Sequence, residues 1–203
     1  MSNSKFQIKS QGVVREEGIP TARRRVTIVD EHWREGERAT GPRAKEKIVS
    51  IKKATNIARQ LHEEGKTIVL AGGCFDILHE GHLAFLKAAK HQGDVLFILL
   101  ESDENVKRRK GKGRPINSAK NRAIVLSEVK SVDYVVLLSG VTKDEEYDRI
   151  MVKIKPDIVA ATHGDPQILR RTKQCKMVGA KLKLVIKKIE NKSTTALVKK
   201  IRN

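Results

Sequence analysis

The segment Gly72-Gly73-Cys74-Phe75-Asp76-Ile77-Leu78-His79-Glu80-Gly81-His82 follows the short apolar run Thr67-Ile68-Val69-Leu70-Ala71 and leads into residues 83–91, whose apolar spacing is helical. A continuous apolar run of that length reads as a strand covered on both faces. A strand, a glycine-bearing turn and a helix therefore follow one another. Glycines at 72 and 73 let a ligand come close to the backbone. The helix start behind them offers unpaired N–H groups and the positive end of the helix dipole. Together these make a phosphate-binding arrangement. His79 and His82 stand three apart, so one helical turn puts both on the same side. Two imidazoles there can donate hydrogen bonds to phosphate oxygens. Their ordinary pKa of about 6.5 can rise beside a polyanion, giving a charged donor as negative charge builds up.

The same alternation runs outward from this segment. Ile48, Ile51, Ala54, Ile57, Ala58 and Leu61 share one face of a helix that begins near residue 47 and that Gly65 closes. Apolar runs at 95–100, 134–138, 158–161 and 182–186 read as further strands. Helical patterns near 80–92, 117–130, 144–153 and 166–178 separate them, and a last helix is expected from Ser193. Strands alternating with helices imply right-handed βαβ units. The expected fold is an α/β, Rossmann-like, doubly wound parallel sheet of five strands, in which ligands bind beyond the carboxyl ends of the strands. Residues 1–46 read differently. They mix polar residues and turn formers with one apolar burst at 26–29 and the single tryptophan, Trp33. They are assigned as an N-terminal extension of unknown role, and residues 47–203 as the domain.

Composition narrows the function. At 203 residues, 39% apolar and 33% charged, the chain has the make-up of one globular α/β domain. No apolar run is long enough to span a bilayer, and residues 1–10 lack the apolar stretch of a secretory signal. Cys74 and Cys175 form no CxxC pair or disulfide framework, which points to a reducing, cytoplasmic setting. The net charge is +18, of which residues 47–203 carry +15. A positive field of this kind attracts nucleotide phosphates, a phosphorylated metabolite or nucleic acid, and charge alone does not choose among them.

The motif pattern does choose. GCFDILHEGH, followed in order by Lys110-Gly111-Lys112, Arg114-Pro115-Ile116, Arg122, Val132-Asp133, Lys155-Pro156-Asp157, Gly164-Asp165 and Ser193-Thr194-Thr195, resembles the HxGH nucleotidylyltransferase superfamily over residues 47–203. Within it the chain is most similar to the adenylyltransferase domain that makes ADP-heptose, and next to the glycerol-3-phosphate cytidylyltransferases. The resemblance implies transfer of an adenylyl or cytidylyl group from ATP or CTP to a small phosphorylated acceptor such as a sugar phosphate, with release of pyrophosphate. His79 and His82 would hold the phosphates and stabilise the transition state, with Lys110 neutralising charge. Gly72, Gly73, Cys74 and Phe75 would line the triphosphate site. Asp76 would orient neighbouring groups or approach the metal side. Lys112 would join the phosphate contacts, Arg122 would add to them or serve the framework, and Asp165 would belong to the same nucleotide-binding set. Ser193 and Thr194 would open the last helix toward the β- and γ-phosphates, a role that hydroxyls at a helix start also support on physical grounds. The resemblance also implies Mg²⁺ bridging phosphate oxygens and a homodimer.

The chain departs from the ADP-heptose pattern at Ala161-Thr162-His163-Gly164-Asp165-Pro166, where a lysine and two glycines before the aspartate are expected. That stretch borders the acceptor pocket in the family, so an acceptor other than heptose phosphate is open. Residue types also bound the alternatives. The i, i+3 spacing of His79 and His82 does not suit a zinc helix, and no protein metal site is assigned. Cys74 has no base placed for it and reads as a small buried residue. A second functional class is a nucleic-acid-associated protein that reuses the fold. It draws on the basic cluster at 170–192, which begins with Arg170 and Arg171, against an aromatic content of only 3%.

Overall fold

The computed structural model describes residues 44–187. A short turn of helix, α1 (Ala44–Lys47), runs across the expected boundary at residue 46 and packs against α5 (Ala119–Ser127). It passes directly into β1 (Ile48–Val49). There follow α2 (Ile51–Glu63), β2 (Ile68–Gly73), α3 (Glu80–Lys90), β3 (Val95–Leu100) and α4 (Asp103–Lys110). After α5 come β4 (Tyr134–Leu137), α6 (Asp144–Ile154), β5 (Ile158–Thr162), α7 (Ile168–Val178) and β6 (Lys181–Ile186).

The six strands form one parallel sheet in the order β1-β4-β3-β2-β5-β6. Strand residues alternate between two cores. Ile68, Leu70, Phe97, Leu99 and Val159 pack with α2, α6 and α7 through Ala54, Ala58, Tyr147, Ile150, Met151, Ile154 and Cys175. Val69, Ala71, Leu96, Ile98 and Leu100 pack on the other face with Phe85, Leu86 and Ala89 of α3 and Ala123 and Leu126 of α5. Burial on both faces explains why the strands read as unbroken apolar runs. From β2 the chain winds one way to β3 and β4, then returns to lay β5 on the other side of β2. The strand order therefore reverses beside β2, and a crevice opens there at the carboxyl ends.

The sheet has six strands, not five. Ile48 and Val49 leave the expected helix and pair with Val135 and Val136. The helix starts only after Ser50, whose extended backbone and side chain, accepting from the Lys53 amide at 3.2 Å, form an N-cap. Residues 103–110, which carry no helical apolar spacing in the sequence, are helix α4, capped by Ser102 and ended by Gly111 at φ 88°. The last helix expected from Ser193 lies outside the described residues, as does the extension up to residue 43.

Candidate active site

The glycines of the motif are strand residues: Gly72 and Gly73 pair with Leu99 and Leu100 at the end of β2. Gly73 has a particular reason to lack a side chain. A Cβ there would stand 2.9 Å from Cε2 of Phe75, whose ring folds back against the strand. Phe75 itself is in the left-handed region at φ 45°, a strained conformation for a non-glycine residue. Its buried ring lies 5.2 Å from the His82 ring, centroid to centroid. The turn thus folds around Phe75 and delivers the chain into α3 with His79 as N-cap residue.

His79 makes no side-chain cap hydrogen bond to that helix start. The rings of His79 and His82 stack with centroids 3.9 Å apart and planes at 29°. Burial pushes the His82 pKa down to about 4, the neighbouring His79 pushes the same way, and the Ile77 backbone offsets part of this. In the ligand-free protein His82 is therefore neutral at pH 7. The sequence expectation of a raised pKa applies only once an anion sits beside the pair.

Asp76 and Arg122 turn out to be the framework of this turn. Asp76, 3% exposed, pairs with Arg114 Nε at 2.6 Å and accepts from the amides of Ile116 and Asn117 at 2.8 and 2.9 Å. Burial alone would raise its pKa, but those donors hold it below the usual carboxylate range. Arg122, 2% exposed, donates to the carbonyls of Cys74, Glu101 and Asn117 and to Asp103 Oδ1. These contacts give it the framework role that the sequence held open beside phosphate contact. The guanidinium is taken up by four protein acceptors, and it fixes the turn at Cys74 to the ends of β3 and the 117 loop. Cys74 has its thiol pKa raised, by burial first and then by Glu101, so it is no nucleophile at neutral pH.

A cavity of about 540 Å³ opens at the crevice, on the α6–α7 side of the sheet, the face opposite α3. Gly72, Gly73, Cys74, Lys110 and Asp165 line it, whereas His79, His82 and Lys112 do not. The chemistry-bearing histidines and this cavity thus lie on opposite sides of the end of β2. Lys110 sits in the last turn of α4, and Lys112 is exposed beyond Gly111. Asp165 accepts from Arg171 Nε and from the Gln167 amide, both at 2.8 Å. Ser193 and Thr194 lie outside the described residues.

The cavity also contains groups that the sequence did not single out. Glu101 is buried at its wall, accepting from the Tyr147 hydroxyl, Asn105 Nδ2 and Arg109 Nη1. Burial first, and then Glu101, push the Tyr147 phenol far above its usual range, so it remains a donor. Arg170 lies over the Tyr147 ring at 4.6 Å and pairs with Asp144 at 2.7 Å. Arg170 and Arg171 had a sequence signal, as the first members of the basic cluster, but not one that separated a cavity wall from a solvated surface.

Residues 70–202 match the cytidylyltransferase-like family. The chain belongs to that family. The membership makes this cytidylyltransferase-like protein a nucleotidyltransferase. It is 43% identical over 150 residues to the bifunctional protein HldE of a Nitratiruptor species, an alignment covering 72% of this chain and 30% of the relative. It is 41% identical over 163 residues to the HldE of Wolinella succinogenes, covering 78% of this chain and 32% of the relative. The chain thus spans about a third of the length of these curated relatives. Among solved structures, the lipopolysaccharide core biosynthesis protein of Thermoplasma volcanium superposes with a TM-score of 0.50 at 29% identity, covering 60% of this chain and 96% of that one. Pantoate-beta-alanine ligase of Francisella tularensis, at 14% identity and a TM-score of 0.53 over 68% of this chain and 66% of that one, shares the fold. These relationships support the enzyme class and give the nucleic-acid alternative no support. Among the described residues no helix is long and apolar enough to cross a membrane.

Proposed function

We propose that this cytidylyltransferase-like protein transfers an adenylyl or cytidylyl group, with ATP the favoured donor, to a small phosphorylated acceptor such as a sugar phosphate in the cytoplasm. The observation that carries the reading is the stacked pair His79–His82 at the start of α3, beyond the Gly72–Gly73 strand end, with a basic cavity on the opposite side of that end. In-line displacement needs the nucleophile and the leaving group on opposite sides of the α-phosphorus. A triphosphate laid across the end of β2 would direct its pyrophosphate toward the histidines and its α-phosphorus toward the cavity.

The chain's own residues then have distinct tasks. The backbone at Gly72–Phe75 would lie against the phosphates, where no side chain of Gly72 or Gly73 intervenes. His79 and His82 would donate to the leaving pyrophosphate, and charge building up there would raise their affinity for protons at the moment it is needed. Lys110 would neutralise charge from the cavity side. The attacking group is an acceptor phosphate oxygen, already ionised, so no general base is required. Positioning and electrostatics would supply the rate. Ser193 and Thr194 would complete the β- and γ-phosphate contacts, and the working unit would be a homodimer.

The donor set fits Mg²⁺ carried on nucleotide phosphates. Among the described residues no three His, Cys, Asp or Glu side chains converge to hold an ion. The carboxylates at the cavity, Glu101 and Asp165, already accept from protein donors. When bound, the ion would screen the phosphate charges. The test is pyrophosphate release from ATP or CTP with a panel of sugar 1-phosphates and glycerol 3-phosphate. Acceptor-dependent release, lost in His82→Ala, is expected. Release that persists at the wild-type rate in His82→Ala would remove the histidine pair from the reaction.

A further inference from the structure

Arg171 stands where the cavity meets the end of β2. It projects from the first turn of α7 and lines the cavity. Its Nε donates to Asp165 Oδ2 at 2.8 Å, and Asp165 is itself fixed by the Gln167 amide. Its Nη1 lies 3.9 Å from the point a Cβ on Gly72 would occupy. The guanidinium therefore reaches from α7 to the end of β2, and the missing side chain at Gly72 leaves it room. Among the described residues neither Nη atom has a hydrogen-bond partner in the protein. One edge of the group is oriented by a carboxylate, and the remaining donors stand at the cavity beside the strand end.

This is how a bidentate oxyanion receptor is built. A planar guanidinium held by one carboxylate loses little further freedom on binding, and its remaining Nη1/Nη2 edge matches two phosphate oxygens. The surroundings favour the same ligand. Arg109, Lys110 and Arg170 line the same cavity, while Arg109 and Arg170 are anchored by Glu101 and Asp144. Arg170 Nε is buried with no partner among the described residues. Leu70, Leu99, Leu138, Met151 and Val159 give the rest of the hollow an apolar floor, and it is much larger than one phosphate.

We propose that Arg171, oriented by Asp165, is the receptor for the acceptor's own phosphate, and that the acceptor is a phosphate monoester whose body fills the cavity between α6 and α7. This rests on the nucleotidyl-transfer reading above. Arg171 would bring the attacking oxygen to the Gly72 side of the nucleotide, opposite the histidines. It would also offset the repulsion between two phosphorylated reactants. The phosphorus–oxygen bond that forms joins the acceptor oxygen to the α-phosphorus, and the bond that breaks releases pyrophosphate with its electron pair.

The experiment is phosphorus NMR titration of inorganic phosphate into the full chain, with and without a saturating αβ-methylene analogue of ATP or CTP. Wild type, Arg171→Gln, Arg171→Lys and Asp165→Asn are compared, with circular dichroism to confirm folding. The expected result is at least tenfold weaker phosphate binding in Arg171→Gln and a smaller loss in Arg171→Lys, which keeps the charge but not the fork. Asp165→Asn should also weaken phosphate binding, which keeps the proposal testable if an Arg171 variant fails to fold. Analogue affinity should stay within about twofold in the Arg171 variants. Phosphate affinity in folded Arg171→Gln equal to wild type would overturn the proposal, as would a wild type that binds no phosphate. Failure of both analogues to bind wild type would instead count against the nucleotidyl-transfer reading, while the Arg171 dependence would still be read in the analogue-free titration.

Discussion

The His79 and His82 rings stack at 3.9 Å, and burial together with that neighbour makes His82 resist taking up a proton while the site is empty. Like charges on adjacent imidazoles repel, and burial adds to the cost of charging His82. A triphosphate reverses both effects, because it supplies negative charge and accepts the N–H bonds. Nucleotide binding is therefore expected to take up protons, most strongly between about pH 4 and 7. Calorimetry in two buffers of different ionisation enthalpy would measure this. His82→Asn should lose most of the uptake, whereas binding with no proton exchange in wild type would contradict the assignment.

The same depressed pKa governs stability in acid. His82 has a folded value of about 4 against an ordinary 6.5, so below pH 6.5 the unfolded chain binds more protons than the folded one. Stability contributed by the neutral ring is present above pH 6.5 and is lost as pH falls toward 4, to a total of about 3 kcal/mol. Urea unfolding at pH 7 and pH 4.5 should show a smaller loss in His82→Asn than in wild type. Equal losses would mean that His82 titrates normally in the fold.

Arg122 ties Cys74, Glu101, Asn117 and Asp103 together from a fully buried position. Arg122→Met removes the donors from three carbonyl oxygens at once, at a cost of about 3 kcal/mol or more. In a chain of this size that lowers Tm by roughly 6–12 °C. Nucleotide affinity should fall with it, since the turn at Cys74 loses its anchor. A Tm within about 2 °C of wild type would show that the network carries little stability.

Gly73→Ala places a methyl 2.9 Å from the Phe75 ring, which is held at positive φ and has little freedom to retreat. Overpacking of this kind costs about 1–3 kcal/mol. Because the Phe75 ring in turn lies against His82, pyrophosphate release should drop further than stability alone explains. A variant with near-normal turnover would separate the Phe75 packing from the histidine geometry.

Most of the sheet was legible because its strands are covered on both faces. Burial of consecutive residues such as Val69, Leu70 and Ala71 leaves an unbroken apolar run, and β2 to β5 each have one, whereas the edge strand β6 is interrupted by Lys183 and largely exposed. β1 was not legible, since Ile48 continues the spacing of the α2 face and only the Ser50 cap separates the two elements. α4 was missed because it buries little beyond Asn105 and Val106, so its sequence is almost wholly charged. In the site, the glycine–histidine motif could be read because its residues are contiguous. Glu101, Tyr147 and Arg171 come from three elements far apart in the chain, and only the fold brings them to one cavity. The ADP-heptose pattern puts a lysine before the aspartate, whereas the cation that meets Asp165 here lies six residues after it, one turn into α7.

The most direct test of the central claim is thermal stabilisation by ATP, CTP, GTP and UTP with Mg²⁺, in wild type, His79→Ala and His82→Ala. At 100 times its Kd a ligand adds about 2.7 kcal/mol, a shift of roughly 5–11 °C for a chain of this length. The expected result is a shift with ATP or CTP that is strongly reduced in both variants. No shift with any of the four in folded wild-type protein, or an undiminished shift in both variants, would contradict a triphosphate site at the stacked histidines.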